Sequence, residues 1–309
     1  MRIAVFGTGG VGGYFGGRLA QAGENVIFIA RGAHLKAMHA SGLHVGSIKG
    51  DFIIDPISAT DEPAQAGYVD VVLVAVKAWH VPEAALAMQP MIGPDTFVVP
   101  LCNGMDALHE LVRTIGKERV LGGFCRISAY TSSPGHIMHV GVEPYVAFGE
   151  LDGSSSERAR HLRRAFERAG ITVEVSGDIQ AAMWQKFVFI AAISGLGAVT
   201  RTPIGVLRDI PETRRMLEEA IQENFTVGKA MGINLPDDTP NIIMQFIDRI
   251  PEHVTASMQR DIMEGRQSEL ESLNGSLVRF GREVGISTPI NKFIYSSLLP
   301  QELSARRTP

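Results

Sequence analysis

The stretch Met1–Arg31, MRIAVFGTGGVGGYFGGRLAQAGENVIFIAR, decides how the rest of the chain is read. An apolar run, Ile3 to Phe6, ends in Gly7-Thr8-Gly9-Gly10-Val11-Gly12. A helix-length segment follows and is closed by Gly23, and a second apolar run, Val26 to Ala30, ends in Arg31. Strand, glycine turn, helix and strand within about 30 residues is the form of a dinucleotide-binding unit. Gly7 allows the tight turn out of the strand, Gly9 removes a Cβ where a pyrophosphate approaches the backbone, and Gly12 lets the helix pack closely on the strands. The free N–H groups and positive end of that helix then face the phosphates. A bare G-x-G-x-x-G is a weak signal; its place after a strand and before a helix gives it weight over a glycine-rich packing turn. Arg31 narrows the dinucleotide. NAD binders usually end the second strand in a carboxylate that accepts from the ribose 2′-OH. Here the strand ends Ile29-Ala30-Arg31-Gly32, and a guanidinium suits a 2′-phosphate through paired donors. The expected cofactor is therefore NADP(H), against the alternative of a solvated loop arginine.

The chain has 309 residues, enough for one or two domains with real cores. Hydrophobic residues make up 45% and charged residues 20%, an ordinary globular composition. A net charge of −4 gives no reason to expect nucleic acid or an anionic membrane as partner. The two cysteines, Cys102 and Cys125, have no metal-ligand spacing and suit a reducing compartment, so no metal is expected and a cytoplasmic location is. The N-terminus lacks a basic segment before an uninterrupted apolar core, so it does not read as a signal peptide. The longest apolar run, Ala181 to Val199, contains Trp184-Gln185-Lys186 and many small residues, which argues against a membrane span.

Beyond Arg31, the pattern predicts a short helix at Ala33–Ser41 and two strands, Leu43–Ile48 and Phe52–Ile57, joined by a hairpin-like turn at Lys49-Gly50-Asp51. Asp70–Val76 and Thr96–Leu101 read as central parallel strands covered on both faces. They end at Lys77-Ala78-Trp79-His80 and Cys102-Asn103-Gly104, and helices Pro82–Met88 and Met105–Ile115 follow. Val120–Ala129, Gly135–Val140, Pro144–Gly149 and Thr172–Val175 read as further strands, with a charged helix, Ser154–Ala169, before the last of them. Alternating strands and helices define an α/β fold, an N-terminal Rossmann-type doubly wound sheet. Ligands bind such sheets at the carboxyl ends of the strands. Arg31, Lys77 and Asn103 stand at three equivalent strand ends and are expected to form a cofactor-facing rim with Gly7 to Gly12; taken singly, Lys77 and Asn103 read equally well as ordinary loop residues.

From Asp178 the pattern is all-helical, so the expected domains are residues 1–177, binding NADP, and 178–309, carrying substrate and catalysis. Helices are predicted at Ile179–Ile193, Pro203–Asp209, Ile210–Met231, Asp238–Arg249, Thr255–Val284 and Pro289–Leu298. The first is apolar on all sides apart from Gln185 and Lys186, the mark of a buried helix. A lysine in such a helix has its charge disfavoured and becomes a proton donor near neutral pH, or it snorkels from a wet edge; the two readings weigh equally. In Thr255–Val284, Leu270, Leu273, Leu277 and Phe280 form a core stripe. Ser257 and Glu269 lie twelve residues apart, about 18 Å in a straight helix. They serve different ends of a site unless the helix breaks near Gly265.

Taken together, GTGGVG with Arg31 after the second strand, VKAWH, CNGM, WQKF, RTPIG and Ser257…GRQSELESLNG resemble the ketopantoate reductase (2-dehydropantoate 2-reductase) family over the whole length. The resemblance implies an NADP-dependent oxidoreductase acting on CH–OH groups, reducing a small 2-keto acid with NADPH; in the family's case the substrate is 2-dehydropantoate, on the way to pantothenate. It implies that Lys186 is the general acid and also meets the substrate. Gly7, Thr8, Gly9, Gly10, Val11, Gly12, Arg31, Lys77 and Asn103 would hold the cofactor. Asn103 would also lie near the substrate, with Ser257 on the substrate carboxylate and Ser194 further along the pocket. Glu269 would bind at the cofactor ribose or steady the lysine.

The family's pocket uses asparagines one and two helical turns after the lysine and another after the proline of the PxG turn. Here Ile190, Ser194 and Ile204 stand at those places, and two apolar residues cannot hydrogen-bond a substrate hydroxyl. Two alternatives therefore stay open: reduction of another, less hydroxylated keto acid, and a catalytically silent NADPH-binding sensor. Long apolar stripes in the helical domain are compatible with a homodimer formed through it.

Overall fold

The computed structural model describes residues 1–307. The chain forms two compact units: Met1–Cys102 with Ala107–Ile179, and Asn103–Asp106 with the segment from Gln180 onward.

In the first unit the chain runs β1 (Arg2–Phe6), α1 (Gly10–Gln21), β2 (Asn25–Ile29), α2 (Gly32–Ser41), β3 (Leu43–Ser47), β4 (Phe52–Ile54), β5 (Ala59–Thr60), β6 (Val69–Val74), α3 (Val81–Ala87) and β7 (Ile92–Pro100). It continues through α4 (Asp106–Ile115), β8 (Gly122–Arg126), β9 (Ala129–Ser133), β10 (His136–His139), β11 (Tyr145–Gly149), α5 (Glu157–Arg168) and β12 (Thr172–Val175). The main sheet is five-stranded, in the order β5-β2-β1-β6-β7, and every pairing in it is parallel. The chain winds outward from β1 to β2 and then returns to β6 on the other side, so the direction reverses beside β1, where such sheets take their ligand. Ile3, Val5, Phe28, Val71, Leu73 and Val99 are buried on one face and Ala4, Val72, Val74 and Val98 on the other, as a sheet covered on both faces requires.

The later strands do not extend this sheet. The β3–β4 hairpin joins β10 and β9 in a four-stranded sheet, and β12, β11 and β8 form a three-stranded one. The run Val120–Ala129, expected as one strand, divides between β8 and the start of β9, which belong to different sheets. The reason lies in α1. A Cβ at Gly12 or Gly16 would strike Val5 or Phe28 of the main sheet, and a Cβ at Gly13 or Gly17 would strike Ile137 or Phe52 of the four-stranded sheet. The helix is pressed between two sheets along two small-residue faces, which explains why GVGGYFGG is so rich in glycine.

The second unit consists of α6 (Ile179–Thr200), α7 (Ile204–Asp209), α8 (Pro211–Ala230), α9 (Thr239–Arg249), α10 (Ser257–Met263), a π-helical turn at Glu271–Gly275 running into α11 (Ser276–Glu283), and α12 (Pro289–Ala305). Its aromatic core joins Trp184, Phe187 and Phe280. Gly228 leaves room for the Trp184 indole, which a Cβ there would meet at 2.2 Å. The helices α6 and α12 run further than expected, α12 continuing through Pro300. By length and composition α6 is able to cross a membrane, yet most of it is buried within the protein.

The expected long helix Thr255–Val284 is broken. It ends at Gly265, whose φ is +71°. The N–H of Gly265 donates to Ile262 O at 3.1 Å and that of Arg266 to Asp261 O at 2.8 Å, the paired closure of a glycine-stopped helix. Helical bonding resumes with Leu273 N donating to Glu269 O at 3.0 Å, and Gly275 N donates to Leu270 O, five residues back. Ser257 and Glu269 therefore belong to separate segments, and the straight-helix distance between them does not apply.

Candidate active site

In the first unit the carboxyl ends of the central strands are stitched together by backbone bonds. Gly7 N donates to Ile29 O, Ala75 N to Phe6 O and Leu101 N to Val74 O. These bonds bring the glycine loop, Arg31 and the segment from Lys77 to one edge of the sheet. The loop glycines differ in what they do. Gly7 has φ +98° and a Cβ on it would lie 2.6 Å from Val76, so both turn and space demand glycine. A Cβ at Gly10 would lie 2.4 Å from Ala129 O, and one at Gly12 would lie 2.1 Å from Gly7 O. Gly9 alone of the four has nothing within 4 Å of its missing Cβ. The protein's own packing does not require glycine there; the side it leaves open is the one a pyrophosphate needs. Gly9 is also the N-cap of α1, with no side chain capping the helix and no acidic residue in its first turn. The first N–H groups are thus left for an anion, and this loop fits a dinucleotide phosphate. The Thr8 hydroxyl donates to Ile29 O at 3.1 Å and is buried, which leaves Thr8 its backbone to offer, while Val11 is half-buried on the first turn.

Arg31 is the extended N-cap residue of α2, and its Nη2 lies 3.5 Å from Nε2 of His80. Lys77 is exposed, its Nζ 5.6 Å from the Trp79 ring centre. His80 closes the VKAWH run; its place in the short turn between β6 and α3, three residues after Lys77, was the available signal that it lies beside Arg31.

The second unit gathers the other expected residues. Lys186, on α6, donates from Nζ to Asn103 Oδ1 at 2.8 Å, and Asn103 Nδ2 donates to Glu269 Oε2 at 2.9 Å. An ammonium only donates and a carboxylate only accepts, so the amide has one orientation that satisfies both. Glu269 is buried, only 4% exposed. Asn103 is held in turn by its own short segment. Gly104 has φ +81° and a Cβ on it would lie 2.5 Å from Ser272 O in the π-helical turn. Asp106 accepts from Ser276 Oγ and from Arg279 Nη2 at 2.8 Å. These ties fasten Asn103–Asp106 to the helical unit.

Lys186, Ile190 and Ser194 follow one another at i, i+4 spacing along α6, about 6 Å apart per step. Ile190 is half-buried. Ser194 is 1% exposed and its Oγ has no hydrogen-bond partner among the described residues, and Ile204 is buried at the start of α7. Ser257 opens α10 and is half-buried. The first turn of α10 is fixed by Gln259, which donates to Thr202 O at 2.9 Å and lies against Gly197 of α6. Among the described residues no group of three or more His, Cys, Asp or Glu side chains could hold a metal.

The glycine loop at the switch point of the parallel sheet in one unit, and the lysine ammonium lodged on an asparagine–glutamate pair in the other, each fit the class of a nicotinamide-dependent oxidoreductase acting on CH–OH groups, and the family match shows that class. Residues 3–153 match the family model described as ketopantoate reductase PanE/ApbA, and residues 178–302 match its C-terminal model. The chain therefore belongs to the ketopantoate reductase family, and its cofactor is NADP(H). It is 31% identical to an uncharacterized oxidoreductase, YkpB, of Bacillus subtilis, covering 96% of this chain and 98% of the relative. It is 28% identical to a 2-dehydropantoate 2-reductase of Nostoc, covering 96% and 94%. Among solved structures, a PanE/ApbA family ketopantoate reductase from Ralstonia eutropha superposes with a TM-score of 0.90 at 30% identity, covering 99% of this chain and 100% of that one. A D-mandelate dehydrogenase solved with NADH shares the fold, with a TM-score of 0.90 at 22% identity over 99% of each chain.

Proposed function

We propose that the protein reduces 2-dehydropantoate to pantoate with NADPH, within the keto acid reductase activity of its family. The observation that carries the reading is the bond from Lys186 Nζ to Asn103 Oδ1 at 2.8 Å, with Asn103 locked by Glu269. When bound, NADPH supplies the hydride to the carbonyl carbon. Negative charge then builds on the carbonyl oxygen. The Lys186 ammonium stabilises that charge and gives the oxygen its proton. Asn103 holds Nζ in place, and Glu269 keeps the amide oxygen turned toward the lysine. Gly9 and the first N–H groups of α1 take the pyrophosphate, Arg31 the 2′-phosphate, and Lys77 adds charge to the same rim. Ser257 binds the substrate carboxylate through its hydroxyl and the first turn of α10. Relatives carrying the name 2-dehydropantoate 2-reductase across nearly the whole chain support this reading.

A second reading, reduction of a less hydroxylated 2-keto acid, is favoured by one feature: Ile190, one turn after the lysine on α6, and Ile204, at the start of α7, have side chains that offer no hydrogen bond. A panel of 2-keto acids followed by NADPH absorbance separates the readings. The highest kcat/KM with 2-dehydropantoate supports the first, and a branched aliphatic or aromatic 2-keto acid preferred by tenfold or more replaces it with the second. NADPH binding without turnover of any member of the panel points to a sensor.

A further inference from the structure

The Lys186–Asn103–Glu269 chain begins at a residue whose backbone is itself anchored. Ser268, immediately before Glu269, is buried, and it meets Glu302 of α12. The Ser268 N–H donates to Glu302 Oε2 at 3.0 Å and the Ser268 hydroxyl donates to the same oxygen at 2.6 Å. Ser268 Oγ also accepts from Leu270 N at 3.3 Å, so Ser268 holds the turn through Glu269 that leads into the π-helical segment Glu271–Gly275. Glu302 is 1% exposed, and its other carboxylate oxygen accepts from Arg306 Nε at 2.9 Å. A carboxylate is costly to bury unless its oxygens are matched; here both are matched, one of them entirely by Ser268.

We propose that Glu302 is a positioning residue for the proton donor, acting through Ser268 and Glu269 on Asn103 and so on Lys186. The inference rests on the reading of Lys186 as that donor. Glu302 and Ser268 together fix the turn from Ser268 to Leu270 that carries Glu269. The Glu269 side chain leaves that turn, and its carboxylate is what orients the Asn103 amide. If the turn is free to shift, the amide loses its one matched orientation and Nζ loses its fixed acceptor. Misplacement by about 1 Å at a reacting group costs on the order of 100-fold in rate. Of the three donors that Glu302 accepts, the two from Ser268 converge on one oxygen, which a neutral amide oxygen also provides; only the bond from Arg306 is given up.

The experiment compares Glu302→Ala, Glu302→Gln and Ser268→Ala in the full chain. Two readouts are used: steady-state kinetics on the best keto acid, and the pH midpoint of Lys186 acylation by a succinimidyl ester, read by mass spectrometry. The acylation midpoint needs neither substrate nor cofactor, so it reports on the proposal even if the substrate assignment fails. Glu302→Ala is expected to lower kcat by about 10- to 100-fold, with the keto acid KM changed less than about twofold, and to shift the Lys186 midpoint. Glu302→Gln is expected to restore most of kcat and the wild-type midpoint. Ser268→Ala keeps the backbone donor and should fall between them; it serves alone if Glu302→Ala does not fold. A folded Glu302→Ala with unchanged kcat and midpoint overturns the proposal. So does a Glu302→Gln as impaired as Glu302→Ala, because the role would then be one of charge. If Glu302→Ala does not fold, a Ser268→Ala with wild-type kcat and midpoint overturns it as well.

Discussion

Replacing Gly9 by alanine separates folding from cofactor binding. Gly9 has φ −81° and ψ −161°, an extended conformation open to alanine, and its added Cβ meets no atom within 4 Å. Two small effects on stability oppose each other. Alanine caps a helix less well than glycine, by about 0.5–1 kcal/mol, and it lowers the entropy of the unfolded chain, stabilising by about 0.4–1 kcal/mol. The melting transition should therefore stay within about 1 kcal/mol of wild type. The methyl group occupies the approach of the pyrophosphate. Loss of one charge-assisted bond there removes about 1.5–3 kcal/mol, so NADPH should bind about 10- to 100-fold more weakly. Gly12→Ala is the contrast. Its Cβ would lie 2.1 Å from Gly7 O and 2.9 Å from Val5 Cγ1, so α1 must lift from the sheet. Overpacking of that kind costs about 1–3 kcal/mol, and stability and binding should fall together. Thermal melts and a fluorescence titration with NADPH measure both. A Gly9→Ala protein that binds NADPH with wild-type affinity would refute the placement of the pyrophosphate.

Arg31→Asp should shift the ratio of NADPH to NADH dissociation constants by about 10-fold or more toward NADH, by removing a paired charge-assisted contact and supplying a carboxylate for the ribose; an unchanged ratio would show that Arg31 points elsewhere. Burial holds the His34 imidazole below its ordinary pKa, outweighing a contact with the Thr8 backbone that pulls the other way. Its Nδ1 accepts from Gly135 N at 3.0 Å, a bond that protonation would abolish. The folded value is depressed and the charged form disfavoured, so this contribution to stability is complete above the unfolded histidine pKa of about 6.5 and declines as pH falls below it. The melting temperature of wild type should drop more between pH 7 and pH 5 than that of His34→Gln; parallel curves would contradict this. Glu150 is buried, which by itself raises its pKa, but Arg158, donating at 2.7 and 2.6 Å, and Ser156 bring it below the usual carboxylate range. Its stabilising contribution is present above the unfolded value of about 4.3 and is lost as pH falls through the folded one. Arg158→Met should thus cost about 1–3 kcal/mol at pH 7 and less near pH 3, measured by urea unfolding; equal costs at both would count against the pair.

The parts of this molecule that local rules control were legible in the sequence. The order of elements from β1 to β4 and from β6 to β7, and the glycine stop after α1, follow from spacing, strand-like runs and positive-φ glycines; the two-residue strand β5 was missed, and Thr255–Val284 read as one helix although Gly265 divides it. The division of the remaining strands into two further sheets was not legible, because an apolar run says that a strand is covered without saying by what. The glycines at 13 and 17 carried the clue, as two more small residues than one sheet contact needs. The placement of Asn103–Asp106 with the helices was also hidden. It depends on Gly104 meeting Ser272 and on Asp106 meeting Ser276 and Arg279, contacts between residues about 170 positions apart. For the same reason, the residues around Lys186 left proton donor and snorkelling side chain equal, and only the family resemblance favoured the donor; that its ammonium meets Asn103 was not legible. Glu302 had no motif at all; only its burial against Ser268 marks it.

The central claim is that Lys186, held by Asn103, gives its proton to the carbonyl oxygen, and Lys186→Ala tests it most directly. Single-turnover reduction of the preferred keto acid, with NADPH affinity measured beside it, should show a rate lowered by about 100-fold or more and an essentially unchanged dissociation constant for NADPH. A rate close to wild type would remove Lys186 from the chemistry.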